Sequence, residues 1–169
     1  MIMTSTQQPI QLQFDNLRVR VAGETIAGHV NLNVALAQEL HIQRLWIKLR
    51  GDVKTRIMVS KKRAISDSAT LVREKQSLWT AGSAFPTAGS QILSCHFQFQ
   101  LPETLPPSFH SSVLDANVGA ISYSLEAVAE RHGRFRANHQ VRRLFSVVPA
   151  ASSDQLLVKE SLRDGWTGQ

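Results

Sequence analysis

At 169 residues with 43% of them hydrophobic, the chain is long and apolar enough for one folded domain with a proper core, which excludes wholesale disorder. The formal charge of +6 favours anionic partners: phosphorylated peptide, acidic lipid or nucleic acid. A single cysteine, Cys95, excludes an intramolecular disulfide and a cysteine-based zinc site, and it fits a reducing compartment.

Residues 1–11 are polar, lack the basic-then-apolar order of a signal peptide, and read as a flexible lead. A short run around Leu12 and Phe14 follows, then Leu17, Val19 and Val21 alternating with Arg18 and Arg20. Ala22-Gly23-Glu24 has the composition of a short hairpin turn. Over residues 26–36 the even positions are apolar apart from Gly28, and the odd ones are small or polar. That two-residue period belongs to a strand with one buried and one wet face. Residues 44–59 repeat it, with Leu45, Ile47, Leu49, Val53, Ile57 and Val59 on one face and Arg44, Lys48, Arg50, Lys54 and Arg56 on the other. Gly51-Asp52 marks a bulge or bend within that run.

Residues 60–90 mix charge with Gly82, Pro86 and Gly89 and read as a long excursion holding one short strand at Ser77-Leu78-Trp79. Within it, residues 64–75 are the only stretch with any helical character. Leu93, Cys95, Phe97, Phe99 and Leu101 then alternate with Ser94, His96, Gln98 and Gln100. Pro102, Pro106 and Pro107 punctuate a crossing that cannot lie in a central strand. Ile121, Tyr123, Leu125, Ala127 and Ala129 form the next apolar face, and His132-Gly133-Arg134 turns the chain. A last strand covers residues 141–148, with a bulge expected at Arg142-Arg143, and residues 150–169 are a polar tail. About seven strands with this spacing and no internal repeat predict an all-β fold, two antiparallel sheets packed as a sandwich. Val30, Leu32, Val34, Leu45, Ile47, Leu49, Phe97, Phe99, Leu125 and Ala127 are expected between the sheets.

Four segments stand in order along this framework. They are Val21-Ala22-Gly23-Glu24-Thr25-Ile26-Ala27-Gly28-His29-Val30 and Ile42-Gln43-Arg44-Leu45-Trp46-Ile47-Lys48-Leu49-Arg50-Gly51, then Phe97-Gln98-Phe99-Gln100-Leu101-Pro102 with Leu105-Pro106-Pro107-Ser108-Phe109, then Gly119-Ala120-Ile121-Ser122-Tyr123-Ser124-Leu125-Glu126-Ala127. Together they resemble the N-terminal domain of arrestins, above all the fungal and alpha-arrestin branch, over residues 12–149. The resemblance implies an immunoglobulin-like antiparallel β-sandwich of the arrestin N-terminal type. It also implies a protein-binding adaptor acting on cytosolic tails of membrane proteins in trafficking, endocytosis or ubiquitin-linked turnover. In physical terms, the prolines stiffen a crossing between sheets, and Phe109 is expected to plug the sandwich end. Gly119 should allow a tight entry to the next strand, and Tyr123 should set its ring in the core with its hydroxyl near an edge. Three features depart from the pattern: residues 110–118 make a longer connection, only one sandwich is present where arrestins carry two, and Pro-Pro-x-Tyr is missing. Direct recruitment of WW-domain ligases is therefore not expected.

No constellation of catalytic or ligating residues is legible. His29, His41, His96, His110, His132 and His139 are scattered without helical or His-x-His spacing, so no metal is expected. No nucleophile elbow, phosphate loop or acid pair stands out, and Cys95 lies on an apolar face as an inert thiol; neither enzyme activity nor a cofactor is expected. The basic face is the feature above background. Residues 41–63 hold eight Lys or Arg against one acid, Asp52, and residues 131–143 hold five against none. One reading makes Arg44, Lys48, Arg50, Lys54 and Arg56 the solvated side of a sheet. The other makes them a surface for phosphate or acidic lipid, for which the planar guanidinium fork is suited. Arg18 and Arg20 join them through the resemblance alone, since basic residues on an early strand of arrestins meet receptor phosphates. Nucleic acid is not expected, because Trp46 is the only aromatic on that face. The expected partners are membrane-protein tails, phosphorylated ones included, and an acidic lipid surface, in the cytoplasm or peripheral at membranes. The alternatives are a structural subunit of a trafficking coat, like the arrestin-fold component of retromer, or a truncated arrestin relative with no independent activity.

Overall fold

The computed structural model describes residues 8–15, 19–82, 91–113 and 117–150. Along them run β1 (Ile10–Phe14), β2 (Val19–Val21), β3 (Thr25–Asn33), α1 (Val34–Glu39), β4 (Ile42–Ser60), β5 (Arg63–Thr80), β6 (Ile92–Gln100), β7 (Phe109–Val113), β8 (Asn117–Arg131) and β9 (His139–Val148). One sheet has the order β1-β3-β6; the other has β2-β9-β8-β4-β5, with β7 on the same edge of β8 that β9 occupies further along. All pairings are antiparallel except β2 with β9. The two sheets pack as the expected all-β sandwich.

The core follows the alternation. Val30 and Leu32 of β3, Leu45, Ile47 and Leu49 of β4, Phe97 and Phe99 of β6, and Leu125 and Ala127 of β8 are all buried. Each of these side chains except Ala127 contributes roughly 1.5–3 kcal/mol through burial. Val34 departs from the expectation. β3 ends at Asn33, whose side-chain oxygen accepts from the Leu36 amide at 3.1 Å and caps α1, so Val34 opens a helix and is only half-buried.

The largest correction concerns residues 60–90. What reads as an excursion is mostly β5, eighteen residues paired with β4 from Thr80 back to a turn at Lys61 and Lys62. Residues 64–75 are strand, not helix. The β4–β5 register shifts between Gly51 and Asp52, where irregularity was expected, but the extra residue is Leu71 on the facing strand. Residues 83–90 lie outside the described residues.

Smaller corrections have equally local reasons. Ala22-Gly23-Glu24 does not make a hairpin: β2 belongs to the large sheet and β3 to the small one, so the turn carries the chain between them, with Gly23 at φ 87°. The β8–β9 register runs unbroken past Arg142 and Arg143, so no bulge is needed; Arg143 takes an inward position at the sandwich margin, where it is exposed. Where a long connection was expected at residues 110–118, β7 pairs antiparallel with the start of β8, and Phe109 is 53% exposed instead of plugging the end. Gly119 sits inside β8 opposite Thr55. The proline crossing holds as read: Leu101 and Leu105 are buried, Ser108 exchanges two 2.8 Å hydrogen bonds with the Val147 backbone, and the buried Tyr123 donates its hydroxyl proton to the Pro106 carbonyl at 2.6 Å.

Candidate functional site

β4 keeps one register against β8 from Arg44 to Arg56, so its even-numbered side chains all leave the sheet on the side away from the core. Each stands in a row with its neighbours. Arg44 lies between Thr80 and Glu130, Lys48 between Lys75 and Glu126, and Arg50 between Arg73 and Ser124. Lys54 lies between Ser68 and Ala120, and Arg56 between Ser66 and Val118. The sequence thus brings Arg44, Lys48, Arg50, Lys54 and Arg56 onto one face as expected. It misses Arg73 and Lys75, which reach the same face only because β5 is a strand.

The electrostatics of the rows differ. Lys48 Nζ is 4.0 Å from Glu126 Oε2, and Arg50 Nε is 2.5 Å from Asp52 Oδ2, a buried carboxylate that also accepts from the Thr70 hydroxyl. Trp46 is half-buried beneath two ammonium groups, with Lys75 Nζ 4.0 Å and Lys48 Nζ 5.6 Å from its ring centroid. Arg44, Lys54, Arg56 and Arg73 are exposed and make no ion pair among the described residues. Lys54 and Arg56 open onto a groove of about 480 Å³ that Ser66, Ser68 and Val118 also line.

Arg20 belongs elsewhere. The alternation in β2 is inverted relative to the sequence reading: Val19 and Val21 are 54% and 42% exposed, and Arg20 is 2% exposed. Its guanidinium pairs with both oxygens of Asp15, lies 3.5 Å from Glu24 Oε1, and stands 6.0 Å from the Phe14 ring centroid. Those acids offset the desolvation of the charge, so Arg20 is a matched internal cation and not part of the surface ladder. Arg18 lies outside the described residues.

His29 and His96 are direct partners across β3 and β6 on the outer face of the small sheet, their ring centroids 5.8 Å apart, with His29 Nε2 2.8 Å from Gln13 Oε1. Among the described residues no three His, Cys, Asp or Glu side chains converge on one point. Cys95 packs half-buried against the core, and burial pushes its thiol above the ordinary range. What the outer face of the large sheet offers is therefore an array of planar and point cations, suited to an extended polyanion.

Residues 10–153 match the family described as Arrestin (or S-antigen), N-terminal domain. No curated protein matches the chain.

Proposed function

The chain belongs to the arrestin family through its N-terminal domain, and from that premise we propose that it is a protein-binding adaptor whose basic sheet face receives phosphorylated, acidic cytosolic tails of membrane proteins. The observation that carries this reading is the charge imbalance of the ladder: Arg44, Lys54, Arg56 and Arg73 stand exposed on one face with no acid paired to them among the described residues. Cations two residues apart on a strand lie about 7 Å apart, the same repeat as phosphates on alternate residues of an extended tail. Arginine forks then give charge-assisted, bidentate contacts. The role is one of binding, without catalysis, and its cellular setting is trafficking, endocytosis or ubiquitin-linked turnover. Pro-Pro-x-Tyr does not occur within these 169 residues, so they offer no such contact to a WW-domain ligase.

Titration of the chain with a doubly phosphorylated acidic peptide tests this. Binding is expected to weaken as salt rises. Lys54→Glu with Arg73→Glu is expected to cut affinity at least about tenfold while leaving the melting temperature unchanged, since both side chains are exposed and a glutamate at 73 would face Arg50. Equal binding by the double variant would reduce the face to ordinary solvation. A second reading, a trafficking-coat subunit joined to neighbours by sheet edges, is favoured by β5, which ends the large sheet. It predicts partner binding that survives the same charge reversal.

A further inference from the structure

The far end of the β4–β5 ribbon combines features that the ladder by itself does not use. No residue from 53 to 71 is buried, and Lys61 and Lys62 form the turn between Ser60 and Arg63. A strand pair with so little burial opens locally at small cost, which makes its segments available as extended chain. Just past the turn runs Arg63-Ala64-Ile65-Ser66. Ser66 therefore has arginine three residues before it, with Lys62 and Lys61 immediately preceding that arginine. Protein kinases choose substrates by such charge patterns, and an acidic peptide groove fits this one. Ser68 has Ile65 at the corresponding position and lacks the signal.

The geometry around Ser66 suits the product as well as the acceptor. Ser66 is exposed, and Arg56 is its direct cross-strand partner. The β carbons of such partners are about 5 Å apart on one side of the sheet. Arg56 and Lys54 carry no ion pair among the described residues, and both line the groove of Ser66 and Ser68; the acid in that lining, Asp67, pairs with Thr55 and so has the opposite strand parity to Ser66 and Arg56.

We propose that Ser66 is a phosphorylation site whose phosphate is held across the ladder by Arg56 and Lys54. The γ-phosphoryl group of ATP passes to Ser66 Oγ. The new Oγ–P bond forms as the bond to the β–γ bridging oxygen breaks, ADP leaves, and the hydroxyl proton goes to the kinase's base. The product carries a charge of about −1.5 to −2 and three acceptor oxygens. Charge-assisted hydrogen bonds then occupy the two cations, and the far half of the basic face is neutralised. This last consequence rests on the adaptor reading: there the modification releases a phosphorylated tail.

The test treats the whole chain with Mg-ATP and a serine kinase that requires arginine three residues before its target. The phosphate is mapped by mass spectrometry and its phosphorus resonance is titrated. The expected result is phosphate on Ser66, lost in Ser66→Ala and in Arg63→Ala. Its second ionisation should fall below the value of about 6 for free phosphoserine and return toward it in Arg56→Gln. Phosphate only on other residues, whether Ser68 or Ser146 (which has Arg143 three residues before it), or none on the chain, overturns the site; an ionisation that Arg56→Gln does not move overturns the capture. Release is read separately with the doubly phosphorylated peptide, where modification is expected to weaken binding about tenfold. Unchanged affinity in a chain that still responds to Lys54→Glu with Arg73→Glu overturns release alone. A chain that never binds the peptide overturns the adaptor reading and release together, and the mapped site then stands on its own.

Discussion

Tyr123 joins the core to the proline crossing. Its ring stacks on Phe145 with centroids 6.1 Å apart, and its hydroxyl donates to the Pro106 carbonyl. Burial pushes the phenol above its ordinary value of 10.0. The folded state thus holds this proton more tightly than the unfolded chain does. Stability from this group is complete below pH about 10 and falls as pH rises past it, where the unfolded tyrosine ionises first. Tyr123 is the only tyrosine, so an ultraviolet titration reads it directly: the midpoint is expected above 10.0 in the native protein and near it in urea. Tyr123→Phe leaves the Pro106 carbonyl without its donor and is expected to cost about 1 kcal/mol, read from the urea midpoint. Gly51 explains why the ring fits at all. A Cβ there would lie 2.6 Å from Tyr123 Cδ1 and Cε1 and 2.9 Å from Val72 Cγ1. Gly51→Ala is therefore expected to lower stability by about 1–3 kcal/mol, checked by the same denaturation.

Among the elements, β3 and β6 are legible in the sequence because each has one face on the core and one largely in water, which forces a two-residue period, and β8 is legible through Tyr123, Leu125, Ala127 and Ala129 although Ser124 and Val128 on its other face are buried as well. β5 is not, because the small sheet does not reach its first half. Residues 63–70 are exposed on both faces, so neither face selects apolar residues and no period survives. The same geometry explains β4, where Ile57 keeps the inward parity of Leu45 and Leu49 but is 55% exposed against an equally open Ile65. α1 hides for a different reason: Val34 and Leu36 continue the period of β3, and only the cap at Asn33 separates helix from strand. The basic ladder was half legible on these terms. The cations of β4 follow from its alternation, whereas Arg73 and Lys75 depend on the unseen strand and on the extra residues at Leu71 and Leu78. Hydrogen exchange should display the division. Amides of residues 54–70 are expected to exchange at least roughly a hundredfold faster than those of residues 45–51, and equal protection would show that the ribbon's far end is covered.

Across the whole molecule, the cationic side chains fall into two populations, one internal and one on the surface. Arg20 lies inside, where its ion pair with Asp15 ties the segment after β1 in the small sheet to β2 in the large one. In the sequence it is indistinguishable from a surface cation, because Val19 and Val21 beside it are as apolar as any inward pair; only the acids that surround it in space reveal the inversion. The ladder cations Arg44, Lys54, Arg56 and Arg73 instead face water, and among the described residues none of them joins strands through an ion pair. The two populations should therefore separate in a single pair of measurements. Arg20→Gln removes one partner of a buried ion pair and is expected to cost about 3 kcal/mol, the lower end of the usual range, since Asp15 is 57% and Glu24 38% exposed and both can turn to water. The urea midpoint should fall with an unchanged denaturant slope, while phosphopeptide affinity and its salt dependence stay those of the parent chain. Lys54→Glu with Arg73→Glu should do the reverse, flattening the salt dependence and sparing the midpoint. If Arg20→Gln alters the salt dependence while the fold persists, then Arg20 reaches the ligand and the ladder is not where the tail binds. If both variants alter only stability, the surface charge serves solvation, and the protein's partners must be sought along its sheet edges.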